Sequence, residues 1–190
     1  MPIRSSNRYL LIAVLILLSG CLSPVEREWV QEDGYRWAEL SPVDEDVGLQ
    51  ALNSSSTGIT FANTLSEENI VENQNLLNGS GVTAGDVDGD GWTDLYFTGL
   101  DGPNKLYKNV GGMQFEDITN EAGVAHQGVN STGAVLADVD GDRDLDLLVS
   151  SMSKPNSLYI NDGNGNFSLK ENSGLKQGKG SMTMALSDIE

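Results

Sequence analysis

Shifting the chain by 52 residues lays Gly81–Phe115 on Gly133–Phe167, and 15 of the 35 paired positions are identical. Self-similarity at this period marks stacked supersecondary units, each too small to bury its own apolar face, so the copies must pack on one another. Both copies open with an apolar strand, Val82 to Val87 and Ala134 to Val139, that runs into an acidic loop. A second β-prone run follows, Leu95 to Thr98 and Leu147 to Ser150. Pro103-Asn104-Lys105-Leu106-Tyr107-Lys108-Asn109 is then answered by Pro155-Asn156-Ser157-Leu158-Tyr159-Ile160-Asn161, and Phe115 and Phe167 fall in the last strand. Turn residues punctuate each copy at Asp101-Gly102-Pro103-Asn104, Gly111-Gly112 and Gly163-Asn164-Gly165. Each unit is three or four short strands, the size of a propeller blade, and the fold class expected is all-β. Ala185-Leu186-Ser187-Asp188-Ile189-Glu190 matches Val135 to Asp140 at a shift of 50, the start of a third unit, so the sequence reads as the front piece of a longer protein.

The acidic loops carry the chemistry. Asp86, Asp88, Asp90 and Asp94 stand at loop positions one, three, five and nine, and Asp138, Asp140, Asp142 and Asp146 repeat that placement. Four carboxylates about 5 Å apart repel by roughly 5 kcal/mol summed over their pairs even at the dielectric of water. Such a loop calls for a cation. Oxygen ligands at alternate positions, with the main-chain carbonyls of Trp92 and Asp144 at position seven and water, supply the contacts that Ca²⁺ takes. The loops hold no His or Cys, which argues against zinc and copper. Mg²⁺ prefers fewer protein carboxylates and more water. An EF-hand would need an acidic ligand at position twelve, where Phe97 and Val149 stand in strand-like runs; an acidic turn without a metal would not repeat its fourfold placement. Gly91 suits the turn at position six, whereas Arg143 in its place predicts a strained turn and a weaker second site.

The pattern Asp-x-Asp-x-Asp-Gly-x-x-Asp between two strands, followed by Asn-x-Leu-Tyr-x-Asn and a Gly-rich turn before Phe, resembles the FG-GAP/VCBS repeat. Gly58-Ile59-Thr60-Phe61 ahead of the first copy is similar to the approach segment of the bacterial ASPIC/UnbV-type group. The resemblance covers residues 58–190, with units over about 81–124 and 133–175 and a truncated one over 180–190. It implies an integrin-α-type β-propeller, here two blades and the start of a third. It also implies calcium between the first two strands of each blade, held by the eight loop aspartates named above, with Asp188 opening a third site.

The sole cysteine excludes an intramolecular disulfide. It ends a segment with a basic head (Arg4, Arg8), an apolar run from Leu10 to Leu18 that is too short to span a bilayer, and Leu18-Ser19-Gly20-Cys21. These four residues resemble the bacterial lipobox, which implies a signal peptide over 1–20, lipidation of Cys21 and an exported outer-membrane lipoprotein facing the periplasm or the cell surface. Residues 21–57 read as an acidic tether with one helical piece near Arg27 to Leu40. A formal charge of −17 repels phosphate backbones and anionic lipid, so nucleic acid is not an expected partner and the membrane is met only through the lipid.

His126, the only histidine, reads as a loop residue, and Tyr107 and Tyr159 as packing residues at the repeat spacing. No nucleophile or acid/base pair stands apart from the metal loops. The expected function is therefore non-enzymatic, a calcium-binding, lipid-anchored module that presents loops to a protein or a polysaccharide. The alternative is part of a propeller lyase or hydrolase whose active site lies beyond residue 190.

Overall fold

The computed structural model describes residues 30–32, 35–37, 51–175 and 180–185; the expected signal segment 1–20 with Cys21, and Asp188, lie outside them. The chain divides into two compact units, Met1–Gln50 and Ala51–Glu190. In the first, β1 (Val30–Glu32) and β2 (Tyr35–Trp37) form an antiparallel hairpin in which Glu32 faces Tyr35. The helical piece expected over these residues is thus corrected to a hairpin. Val, Tyr and Trp favour a pleated surface, which suits both segments to paired strands.

The second unit opens with the short helices Ser54–Thr57 and Glu67–Glu72, capped by the side chains of Asn53 and Ser66, which accept from the main-chain N–H groups of Ser56 and Asn69. A 3₁₀ turn, Gln74–Asn78, leads into the repeats. The first repeat is a four-stranded antiparallel meander of β3 (Val82–Gly85), β4 (Asp94–Phe97), β5 (Lys105–Asn109) and β6 (Phe115–Asp117). The second is built likewise from β7 (Ser131–Ala137), β8 (Asp146–Ser151), β9 (Ser157–Asn161) and β10 (Phe167–Leu169). Registers match across the repeats: Gly85 faces Asp94 as Ala137 faces Asp146, and Leu95 faces Tyr107 as Leu147 faces Tyr159. The two blades make an all-β architecture.

One hydrophobic core serves both blades. Val87, Tyr96 and Leu106 of the first pack with Leu147, Val149, Tyr159 and Phe167 of the second, and Ala122 and Val124 of the connecting segment complete the cluster. All six residues of β8 are buried, whereas β4 alternates between buried and half-buried positions. The difference lies at Leu147 and Val149, which pack into the core shared with the first blade, where their equivalents Leu95 and Phe97 are half-buried. Ser131 N donates to Gly99 O at 3.0 Å, and Ser181 N donates to Ser151 O at 2.8 Å. Gly99 and Ser151 are repeat equivalents, so the chain after the second blade stacks on it by the bond that stacked the second on the first.

Each blade also includes the segment that precedes it. Gly58 and Gly123 both adopt left-handed φ, 79° and 75°, and a Cβ on Gly58 would lie 2.4 Å from the carbonyl oxygen of Phe115 in β6. Gly123 sits against the Phe167 carbonyl of β10 in the same way. Phe167 N donates to Ala122 O, so this approach segment is bonded to the outer strand of its own blade. It is bonded to the blade before as well, because the Tyr96 hydroxyl donates to Val124 O at 2.9 Å and Asn104 N to Ala125 O.

Candidate metal centre

The β3–β4 and β7–β8 loops are shaped by their own aspartates. Asp86 accepts from Gly89 N and Gly91 N at 2.9 and 2.8 Å, while Asp138 accepts from Gly141 N and Arg143 N at 2.7 and 3.0 Å. The first carboxylate of each loop therefore curls the following residues around itself, and its remaining lone pairs stay free for a ligand. Asp90 and Asp142 do the same locally, accepting from Trp92 N and Asp144 N. The expected turn strain is present: Arg143 holds φ 79°, in the left-handed region where Gly91 stands at 88°.

The fourth aspartate of each loop opens the next strand and is fully buried. Asp94 accepts from Val87 N (3.0 Å) and Asn109 N (2.8 Å); Asp146 accepts from Val139 N and Asn161 N, both at 3.0 Å. Each thus staples the loop to the third strand of its blade. Burial raises the Asp94 carboxyl above the ordinary carboxylate range despite the two N–H bonds, and the charges of Asp88 and Asp90 push in the same direction. Desolvation and the charges of Asp142 and Asp146 likewise raise Asp140. Asp144 is raised by desolvation and by a ring of carboxylates from Asp142, Asp138, Asp146 and Asp162.

Three carboxylates converge in each loop. Asp86, Asp88 and Asp94 bring oxygens within 4.8 Å of one another, and Asp138, Asp140 and Asp146 do so in the second. Asp90 turns to Lys108, whose ammonium bonds Asp88 and lies 3.1 Å from Asp90 Oδ2. The Trp92 N–H and then Lys108 hold Asp90 below the ordinary range, while its bonds to Asp88 and Asp90 raise Lys108. The second blade has Ile160 at the place of Lys108, so its cluster has no such ammonium. Lys108 is a site residue that the acidic-loop pattern does not single out; its signal in the sequence is a single difference, Lys against Ile, between otherwise matched Tyr-x-Asn triplets. Asp188 falls outside the described residues. Trp92 is half exposed and packs over Gly111 of the β5–β6 turn, at 3.6 Å from where a Cβ would stand there.

The donor set fits a hard divalent cation. Every converging atom is a carboxylate oxygen, one member of each set is buried, burial disfavours the charge of Asp94 in the first set, and the loops are already folded by N–H bonds to those carboxylates. The two centres occupy equivalent places, and they are joined: Asn161 Nδ2 donates to Leu145 O beside the second loop (3.2 Å) and across the blade boundary to Val87 O of the first loop (2.7 Å).

Parts of the sequence are similar to known proteins. Over 82 residues, 43% of this chain, the sequence is 30% identical to cartilage acidic protein 1 of Mus musculus, of which that stretch is 13%. The corresponding figures are 28% identity and 13% for the protein of Xenopus tropicalis, and 30% and 12% for that of Homo sapiens. The chain therefore spans about an eighth of the length of these curated relatives. A family model described as an FG-GAP-like repeat matches residues 86–149 and again 138–190, each match beginning on the first aspartate of a loop. The chain belongs to the FG-GAP-like repeat family.

Proposed function

We propose that this chain is a calcium-clamped propeller module, exported and tethered through Cys21, whose blades bind a protein or a polysaccharide. The observation that carries it is the duplicated three-carboxylate cluster, identical in placement and set at the same corner of each blade. Asp86, Asp88 and Asp94 would hold one ion, and Asp138, Asp140 and Asp146 another, with Asp90 and Asp142 close by in the loops. A bound Ca²⁺ supplies positive charge that removes the carboxylate repulsion and stabilises the ionised form of the buried aspartates. Because Asp94 and Asp146 each bond the third strand, fixing their charge fixes the blade and not the loop alone. Millimolar-range affinity is what an extracellular module of this kind needs.

The test is thermal unfolding of the chain with excess Ca²⁺ and with chelator, beside the isosteric double variant Asp88→Asn/Asp140→Asn. Calcium raises the melting temperature of the parent and not of the variant. Superimposable parent curves with and without the ion contradict the reading.

A further inference from the structure

The approach segments of the two blades differ at one telling place. Gly58-Ile59-Thr60-Phe61 sets Phe61 against Phe97, with ring centroids 5.1 Å apart, whereas Gly123-Val124-Ala125-His126 puts His126 at the corresponding position. His126 packs edge-on against Tyr159, and its Nδ1 lies 2.5 Å from the Tyr159 hydroxyl. With that hydroxyl donating, the ring proton sits on Nε2. This nitrogen is buried and has no partner. A buried donor left unmade is costly, so a histidine at a position that an aromatic hydrocarbon fills in the sister blade calls for a ligand.

His126 lines a cleft of about 550 Å³, within the range of small-ligand sites. Lys154 and Lys170 also line it. In a chain with 28 acidic and 11 basic side chains, two lysines in one cleft are a local reversal of sign. Among the described residues the ion pairs are those of Lys105 and Lys108, and neither cleft lysine has a carboxylate within ion-pair distance. Burial, and then the Lys154 charge, lower the His126 basicity, which keeps the ring neutral near pH 7. The remaining wall is mixed: Val129, Pro155 and the half-exposed Leu169 give an apolar side, and Asn156 and Ser157 a polar one. Glu171 stands among the lining residues and, with the acidic surroundings, disfavours a dianion such as phosphate relative to a single carboxylate.

We propose that this cleft binds the carboxylate of an acidic sugar, a hexuronate unit of a polysaccharide, with Lys154 and Lys170 supplying charge and His126, whose ring lines the cleft, turning its Nε2–H from its buried position towards the ligand. A pyranose ring has the apolar face and the hydroxyl edge that the mixed wall matches. The assignment rests on the reading of the chain as a binding module and gives its ligand a chemical class.

The experiment is calorimetric titration of the full chain, in calcium, with digalacturonate, with the neutral digalactose and with an aspartate-rich peptide. Digalacturonate binds and digalactose binds at least tenfold more weakly. Lys154→Gln/Lys170→Gln loses at least tenfold in uronate affinity, and His126→Phe, which restores the aromatic of the first blade, loses several-fold at an unchanged melting temperature. Equal binding of the two disaccharides, uronate affinity unchanged in the lysine variant, tighter binding of the peptide, or no uronate binding each overturns the assignment. A melting temperature indifferent to calcium in the same samples contradicts the metal clamp and leaves the outcome at the cleft to be read from the titrations alone.

Discussion

Arg143 and Gly91 share a left-handed backbone conformation, but only Gly91 lacks the Cβ that makes it costly. A non-glycine residue there forfeits on the order of 1 kcal/mol. Arg143→Gly is therefore expected to stabilise the chain by about 1 kcal/mol in chemical denaturation, an outcome that loss of a mere surface arginine would not give. Lys108 poses the opposite case. Its ammonium already rests on Asp88 and Asp90, so a divalent ion entering the first loop must displace it. Lys108→Ile, which copies the second blade, should tighten calcium at the first loop severalfold by calorimetry and lower the melting temperature in chelator, where the carboxylates lose their internal counter-charge. His126 gives a pH signature. Its folded basicity lies below the ordinary histidine value, so the unfolded chain binds the proton first as pH falls. Its contribution to stability is present above the ordinary value and is lost as pH falls through it towards the folded one. The His126→Phe chain should show a flatter stability profile than the parent as pH falls below the ordinary histidine value.

At the scale of elements, the meander of each blade was legible because the sequence states it twice. Positions that survive a shift of 52 are the aspartates, the turn glycines, the Asn-x-Leu-Tyr-x-Asn strand and the closing Phe, and these are the residues that fix loops, turns and core. What was not legible lacked that redundancy. The Val30–Trp37 hairpin occurs once, and its alternation is too short to distinguish from one turn of an amphipathic helix. Gly58-Ile59-Thr60-Phe61 is legible as an approach segment, but its counterpart at Gly123 and the bonding of both into their blades are not, because their shared feature is a left-handed glycine lodged against a distant carbonyl, which only the fold brings together. Gly58→Ala is accordingly expected to destabilise strongly, by several kcal/mol, since the methyl would meet the Phe115 carbonyl oxygen. Gly89→Ala, at a left-handed loop glycine with open space around it, should cost about 1 kcal/mol. Comparable losses at the two positions would show that the packing of the approach segment contributes little.

For the whole molecule, the decisive fact is that the core belongs to neither blade alone. Leu147, Val149 and Tyr159 are buried against Val87, Tyr96 and Leu106, and Asn161 reaches across to Val87 O. Asn161→Ala should therefore cost about 1–3 kcal/mol, more than Asn109→Ala, whose amide bonds Thr93 O within its own blade. Both blades should melt in one transition. The bond from Ser181 N to Ser151 O repeats the Ser131 to Gly99 bond, so the same stacking rule extends to residues past the second blade. Within this stack the acid loops line up, and the account stands on what they hold. Isothermal titration of the chain with Ca²⁺ tests this most directly. The account predicts at least two bound ions, with Asp88→Asn and Asp140→Asn each removing one equivalent; a chain that takes up no calcium at millimolar excess, or whose stoichiometry both substitutions leave unchanged, would contradict it.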